Sequence, residues 1–220
     1  MSAAAGRVLL LVGSPKGLEK SASGRLGRRV VEGLERRGWA GEAIHLHGAV
    51  LTEEGRRELA SAADRADIVL LAAPLYVDSL PAPAIRALEI LSAARRPGVP
   101  RRAPRFVSIL NCGFVEPTQN ETCQRILRRF AEQAGFEWAA GVSLGAGGAI
   151  PKRVDRALDL LVESLDLELL VPDEVDRLTS KPLMPRWLYV VGGNVMWRRL
   201  ADRNGARRQL RARPDWHPDA

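Results

Sequence analysis

Hydroxyl and amino groups are concentrated in one short segment near the start of the chain. Ser14, Ser21 and Ser23 supply hydroxyl donors, and Lys16 and Lys20 supply positive charge. The segment joins an apolar run to a helix pattern, and the first turn of a helix carries N–H groups without intrahelical acceptors and the positive end of the helix dipole. Such a point favours an anion. The segment therefore predicts a loop that binds a phosphate monoester.

This loop fits neither of two common phosphate motifs. It lacks the Gly-x4-Gly-Lys-Ser/Thr pattern of triphosphate-binding loops and the Gly-x-Gly-x-x-Gly pattern of dinucleotide-binding folds. A hydroxyl-rich loop suits a terminal phosphate better than a bridging pyrophosphate. The alternative is an ordinary strand-to-helix connection whose serines cap the helix. On this segment alone both interpretations stay open.

Five strand–helix pairs must position this loop. Compact apolar runs predict strands, and apolar residues at helical spacing predict the helices between them. Short connections between alternating elements predict an α/β fold, a doubly wound five-stranded parallel sheet with helices on both faces. The predicted strands are Arg7–Val12, Gly41–Leu46, Asp67–Ala73, Arg105–Leu110 and Glu137–Leu144, and the helices are Gly24–Arg37, 53–64, 82–94, Glu121–Ala134 and one that begins at Pro151.

Four loops follow strands at one edge of this predicted sheet: Gly13–Ser23, Pro74–Leu80, Asn111–Asn120 and Gly145–Ile150. In open parallel sheets, ligands bind beyond the carboxyl ends of the strands. These four loops are also the richest in polar residues and glycines. We therefore expect the functional site at this edge.

With the loops placed, the chain resembles the flavodoxin-like NAD(P)H-dependent FMN reductases and quinone reductases. Three matches carry the resemblance, in the right order and after the right strands, and together they cover about residues 7–168. They are Gly13-Ser14-Pro15-Lys16 with Ser21-Ala22-Ser23, Ala73-Pro74-Leu75-Tyr76 with Ser79-Leu80-Pro81-Ala82, and Asn111-Cys112-Gly113-Phe114 with Glu116.

The resemblance implies that FMN is held across the strand edge. The phosphate would be bound by Ser14, Lys16, Ser21 and Ser23 with the backbone N–H of Ala22. Pro74, Leu75, Tyr76 and Val77 would lie along the isoalloxazine ring, and Asn111, Cys112, Gly113 and Phe114 would flank its other side. The implied activity is that of an oxidoreductase that passes electrons from NAD(P)H, through FMN, to a small acceptor such as a quinone or flavin.

Two other functions stay open. One is a flavodoxin-type electron carrier, and the other is a binding or regulatory member of the family that has lost FMN. A homodimer is expected by analogy, because a second subunit often completes the flavin pocket in such reductases. The choice between NADH and NADPH also stays open. Lys16, Lys20 and Arg25 are candidates for binding the additional phosphate of NADPH, but they would serve the FMN phosphate equally well.

Individual side chains in these loops also have simpler interpretations. Cys112, at the end of a strand, is expected to be a small buried apolar residue rather than a nucleophile. Asp78 stands where relatives often carry a small residue, and we expect it to face solvent. The histidines lie too far apart for a metal site, and none is given a role.

Composition sets the broad class. A chain of 220 residues with 46% hydrophobic and 27% charged residues is typical of a globular domain. Two cysteines are too few and too isolated for a disulfide framework or a metal site. The first strand starts by about residue 7, which leaves no room for a signal peptide, and no apolar run reaches the length of a spanning helix. We expect a cytoplasmic protein.

The charge is concentrated at the C-terminus. Residues 181–220 contain nine Lys/Arg and three Asp/Glu, whereas residues 1–180 contain 24 and 23, so the net charge of +7 is mostly the tail's. A near-neutral body argues against nucleic-acid binding. The expected division is an FMN-binding domain over 1–170 and a basic, aromatic-containing helical extension over 171–220.

The extension allows two interpretations. Trp187, Tyr189 and Trp197 lie among apolar residues and arginines. These aromatic side chains would pack onto the body or onto a second subunit. Alternatively, the segment would form a helix that makes peripheral contact with an anionic membrane.

Overall fold

The computed structural model describes residues 5–95, 103–147 and 149–210. Five parallel strands form one sheet in the order β2-β1-β3-β4-β5. This is the strand order of flavodoxin-like sheets, and the predicted doubly wound fold is confirmed. The strands are β1 (Arg7–Val12), β2 (Ala40–His45), β3 (Ile68–Pro74), β4 (Arg105–Asn111) and β5 (Glu137–Leu144).

Helices cover both faces of the sheet. The chain contributes α1 (Ala22–Glu35), α2 (Leu46–Ala49), α3 (Glu53–Arg65), α4 (Ala82–Ala94), α5 (Glu121–Gln133), α6 (Lys152–Asp166) and α7 (Asp173–Thr179). Helices α1, α6 and α7 pack on one face, and α2, α3, α4 and α5 pack on the other. The short helices α2 and α7 were not predicted, because neither is long enough to show a helical repeat in the sequence.

The central strands separate two apolar cores. Leu9 and Leu11 of β1 point to the core under α3, α4 and α5, whereas Leu10 and Val12 point to the core under α1 and α6. A strand buried on both faces needs an unbroken apolar run rather than an alternating one. This is why β1 and β3 were clear in the sequence. Because β1 and β3 pair in parallel, their carboxyl ends meet at one edge of the sheet.

One compact unit contains the sheet and extends to Leu183. Helix α7 packs against α6 and β5. The Arg153 guanidinium donates to the carbonyls of Leu178 and Pro182, both at 2.8 Å. These bonds tie the end of α7 and the chain after it to α6.

The second unit begins at Met184. Its described part contains helix α8 (Arg186–Arg203) and a short 3-10 turn (Arg207–Gln209). Among the helices of the described residues, none is long and apolar enough to cross a membrane.

Candidate functional site

The loop after β1 turns into α1 through a capped helix start. Ser21 is the N-cap, with an extended backbone, and its Oγ accepts a hydrogen bond from the Gly24 N–H at 2.9 Å. The Leu18 carbonyl lies so close to Gly24 that a side chain there would collide with it. The capping interpretation is therefore right for Ser21, while the N–H groups of Ala22 and Ser23 lie in the first turn, where no intrahelical acceptor exists.

A buried hydrogen bond joins this loop to the loop after β4. The Ser23 hydroxyl donates to Asn111 Oδ1 at 2.7 Å, between residues 88 positions apart. Both side chains are buried. Because the hydroxyl proton points to Asn111, Ser23 can offer an anion its backbone N–H but not its hydroxyl proton.

A cavity of about 320 Å³ opens at this edge of the sheet. Its volume lies at the lower end of the range for ligand pockets. The structure brings ten of the thirteen predicted site residues to its wall, together with Lys20, Arg25 and Gly147. The ten are Ser14, Lys16, Ser21, Ala22, Ser23, Pro74, Leu75, Tyr76, Asn111 and Gly113.

The other three predicted residues, Val77, Cys112 and Phe114, are not part of this wall. Phe114 is 52% exposed. Cys112 is buried in the core under α3, α4 and α5, with its Sγ 3.7 Å from the Phe114 and Glu116 carbonyl oxygens. Burial raises the pKa of the Cys112 thiol, although backbone contacts oppose this. The thiol is therefore neutral at neutral pH, as expected of a buried apolar residue.

The wall is positively charged at the end nearest α1. Lys16, Lys20 and Arg25 line it, and none of the described lining residues is acidic. Asp78 lies outside the lining and is exposed, as expected. The field in this half of the cavity therefore favours a doubly charged phosphate.

Two glycines leave room in the cavity. A Cβ built on Gly113 or Gly147 would meet no atom of the described residues within 4 Å, and both glycines line the wall. Position 147 favours glycine for a second reason, because its φ of 74° lies in the left-handed region that other residues rarely adopt. Its N–H donates to the Cys112 carbonyl at 2.8 Å, which holds the loop after β5 against the loop after β4. Gly148, in the same predicted loop Gly145–Ile150, lies outside the described residues. A backbone that faces an open cavity on this side fits a flat ring.

A tight hairpin borders the cavity at Tyr76. Tyr76 and Ser79 exchange backbone hydrogen bonds of 2.8 and 3.1 Å, and the two residues between them, Val77 and Asp78, have φ values of 49° and 59°. Positive φ at both central positions defines a type I′ turn, which favours Asn-Gly. A β-branched residue in this conformation is strained, and Val77 is 99% exposed, so packing offers no compensation.

The double substitution Val77→Asn/Asp78→Gly is expected to stabilise the protein by about 1–2 kcal/mol, because it removes the left-handed penalty at both positions. The measurement is the free energy of unfolding in urea. Leu51→Asn is the control, since Leu51 is also exposed but has an ordinary φ. An equal gain in the control, or none in the double variant, would contradict the strain.

Sequence reasoning missed His45. The residue ends β2 and pairs in register with Val12 of β1, so its ring reaches the phosphate loop. His45 Nε2 lies 2.7 Å from the Ser14 carbonyl oxygen. A carbonyl only accepts, so Nε2 carries the proton. Its position at the end of the strand beside β1 is the feature from which a role for His45 in the site could have been predicted.

His45→Ala is expected to weaken FMN binding about 5- to 10-fold, because the Ser14 carbonyl loses a hydrogen bond of ordinary strength and the loop loosens. His45→Gln, which keeps a donor, should recover most of the affinity. Fluorescence titration of FMN measures both. His47→Ala is the matched control, since His47 is exposed and its ring centroid lies 6.1 Å from that of His45. If both alanine variants bind equally well, His45 does not position the loop.

Comparison with solved structures finds the same fold in several proteins. The chain is 18% identical to the NADH:FMN oxidoreductase EMOB, with a TM-score of 0.58 over 82% of this chain and 97% of that one. It is 17% identical to the NAD(P)H:quinone oxidoreductase from Methanothermobacter marburgensis, with a TM-score of 0.53 over 74% and 96%. It is 14% identical to a Streptococcus pneumonia TIGR4 flavodoxin, with a TM-score of 0.55 over 74% and 99%. At these identities the likeness shows the fold.

Sequence comparison reaches the family. No curated protein matches the chain. Residues 7–108 match the model of the NADPH-dependent FMN reductase family, a span that includes the phosphate loop and the Pro74–Tyr76 loop. The predicted oxidoreductase class, FMN cofactor and NAD(P)H co-substrate are those of this family. The resemblance inferred from the loops is therefore confirmed for residues 7–108, the part of the chain that matches this family model.

Proposed function

We propose that this protein uses FMN to pass electrons from NAD(P)H to a small acceptor such as a quinone or a free flavin. The observation that carries the proposal is the cavity at the carboxyl edge of the sheet. One end of its wall is cationic and rich in N–H donors, and the other end is lined by residues of the loops that follow β3, β4 and β5. This division suits a phosphate joined to a flat ring.

The phosphate end is formed by α1 and the loop before it. The N–H groups of Ala22 and Ser23 and the hydroxyl groups of Ser14 and Ser21 donate to the phosphate oxygens. Lys16 and Arg25 neutralise its charge. Ser23 also anchors this end to β4 through Asn111, so that the donors stay fixed relative to the ring-binding end.

The ring end is formed by the two loops that follow β3 and β4. Pro74, Leu75 and Tyr76 line one side, and Asn111 and Gly113 line the other. The Leu75 N–H donates to the Asn111 carbonyl at 2.9 Å, which fixes the spacing of the two loops. When bound, FMN supplies the two-electron chemistry, while the protein binds and orients it.

No acidic or basic side chain of the chain is assigned a proton-transfer role, because electron transfer through a flavin does not require one. Donor and acceptor would use the same open side of the cavity in turn. This arrangement predicts ping-pong kinetics, in which the acceptor enters after the oxidised nicotinamide leaves.

The proposal is tested with the purified full-length chain. The absorbance spectrum shows whether FMN is bound, and NADPH or NADH oxidation is then measured with a quinone or free flavin as acceptor. Bound FMN with acceptor-dependent oxidation supports the proposal. Bound FMN without oxidation would favour an electron carrier, and a protein that neither retains nor binds FMN would overturn both functions.

The proposal includes a homodimer that forms through α4 and α5. An apolar groove of about 1000 Å³ lies between these helices and exposes Ile85 and Ile126. The groove carries Glu89 on α4 and Arg125 and Arg129 on α5, so a two-fold axis that packs α4 of one copy against α5 of the other would bring opposite charges together. Sedimentation of Ile85→Lys/Ile126→Lys should show a monomer, whereas Leu51→Lys, at an exposed leucine outside the groove, should leave the dimer intact. A monomeric wild-type protein would overturn this part of the proposal.

A further inference from the structure

Helix α8 exposes large apolar side chains around its whole circumference. Of its eighteen residues, only Ala201 is buried. Trp187 is 68% exposed and Trp197 is 60% exposed. Seven further apolar side chains of the helix are also exposed, namely Leu188, Tyr189, Val190, Val191, Val195, Met196 and Leu200. A helix that is apolar on all sides is normally buried, either in a protein core or in a membrane.

The charges of α8 lie at its ends rather than along one face. Arg186 begins the helix, and Arg198, Arg199 and Arg203 lie in its last turns, while residues 187–197 carry no charge. The described part of this unit contains six arginines and one acidic residue. That residue, Asp202, pairs with Arg207 at 2.9 Å. The unit is therefore strongly cationic at both ends of an apolar run.

The length of the apolar run limits what can cover it. Trp187–Trp197 spans eleven residues, about 16 Å at the helical rise per residue. This is about half of the ~30 Å hydrocarbon thickness of a bilayer. Such a run is too short to cross the bilayer and can only lie at one side of it, and tryptophans at both of its ends are typical of the boundary between headgroups and acyl chains.

The charges of α8 distinguish between two partners that could cover its apolar run, a second copy of the helix and a lipid surface. A second copy of α8 would bring arginines against arginines in either a parallel or an antiparallel pair, at a cost in repulsion. An anionic lipid surface offers the opposite charge to both ends of the helix and an apolar layer to its middle. The observations therefore favour a lipid surface over a second copy.

We propose that α8 is a monotopic membrane-binding element for anionic bilayers. The helix lies in the plane of the membrane, with its apolar run below the headgroups and the arginines at both ends among the lipid phosphates. This arrangement differs from the usual interfacial helix, whose polar groups form a face along the helix. Here they form two ends, and the uncharged middle is immersed on all sides.

The test uses the full-length protein and two kinds of vesicle, pure phosphatidylcholine and phosphatidylcholine with phosphatidylglycerol. We expect co-sedimentation with the anionic vesicles and little with the neutral ones. Arg198→Gln/Arg199→Gln should weaken this binding about 30-fold, at the usual contribution of a basic residue near an anionic surface. Trp187→Ser/Trp197→Ser should weaken it at least about tenfold, and it should remove the fluorescence quenching by brominated lipid that the wild-type protein shows.

Matched variants control for general effects. Arg56→Gln/Arg57→Gln removes an adjacent arginine pair from α3, and Leu170→Ser removes a side chain that is 94% exposed outside α8. Neither control should change binding. Far-UV circular dichroism of all variants confirms that they fold.

Three outcomes would overturn the proposal. The first is absence of binding to anionic vesicles at low salt. The second is that the arginine variant no longer binds anionic vesicles, while the tryptophan variant still binds them and shows no quenching by brominated lipid. That result would indicate that surface charge alone causes the binding. The third is a concentration-dependent oligomer that the tryptophan variant abolishes in a protein that does not bind lipid, which indicates a second copy as the occupant.

Discussion

Gly113→Val is expected to weaken FMN binding by about 100-fold or more, while the free energy of unfolding stays close to that of the wild type. The branched side chain would extend from Cα into space where no atom of the described residues lies within 4 Å, on the wall where we place the ring. The backbone does not resist the change, since Gly113 is not among the glycines with positive φ. The measurement combines FMN titration by fluorescence with urea unfolding.

Gly48→Val is the matched control for this variant. A Cβ at Gly48 also meets no atom within 4 Å, and the residue lies in α2, outside the cavity lining. It should bind FMN as the wild type does. If Gly113→Val binds FMN with wild-type affinity, the ring does not lie against Gly113. The ring-binding half of the site would then have to be placed elsewhere.

The second large effect is expected for Lys16→Gln/Arg25→Gln. Each charged hydrogen bond to a phosphate contributes about 1.5–3 kcal/mol, so the loss of two should weaken FMN binding by more than about 100-fold. The remaining affinity should also depend less on salt, because fewer charges attract the phosphate. Titrations at two ionic strengths, with riboflavin as a ligand without phosphate, measure both effects.

Arg36→Gln is the control for this pair. Arg36 is exposed and caps the C-terminal end of α1, the helix that carries Arg25 at its other end. The control should bind FMN normally, and neither variant should bind riboflavin differently from the wild type. An equal loss of riboflavin and FMN affinity would indicate a damaged site rather than a lost phosphate contact.

The match to the family model covers only the first part of the site. It spans residues 7–108 and ends before Asn111, Gly113 and Gly147. The part of the cavity formed by the later loops therefore stands on the geometry of this chain. This is why Gly113 is the more informative position to change.

The apolar pattern of the sequence is enough to predict the fold and the edge at which the site lies. The apolar run within Asp67–Ala73 predicts a strand buried on both faces, and parallel strands share one carboxyl edge. Once the strands are placed, the loops that start at Ser14, Pro74 and Asn111 must meet, whatever their side chains do. Ten residues chosen on this basis line one cavity.

The role of each side chain at that edge depends on contacts that form in the folded chain. The Ser23 proton points to Asn111, the His45 ring holds the Ser14 carbonyl, and Cys112 lies in the core rather than on the wall. The partners of these groups are distant in the chain, and they meet through register and side-chain direction, which local patterns do not encode. The strained turn at Val77 was hidden for a related reason, because the hairpin imposes a positive φ that its residue type disfavours.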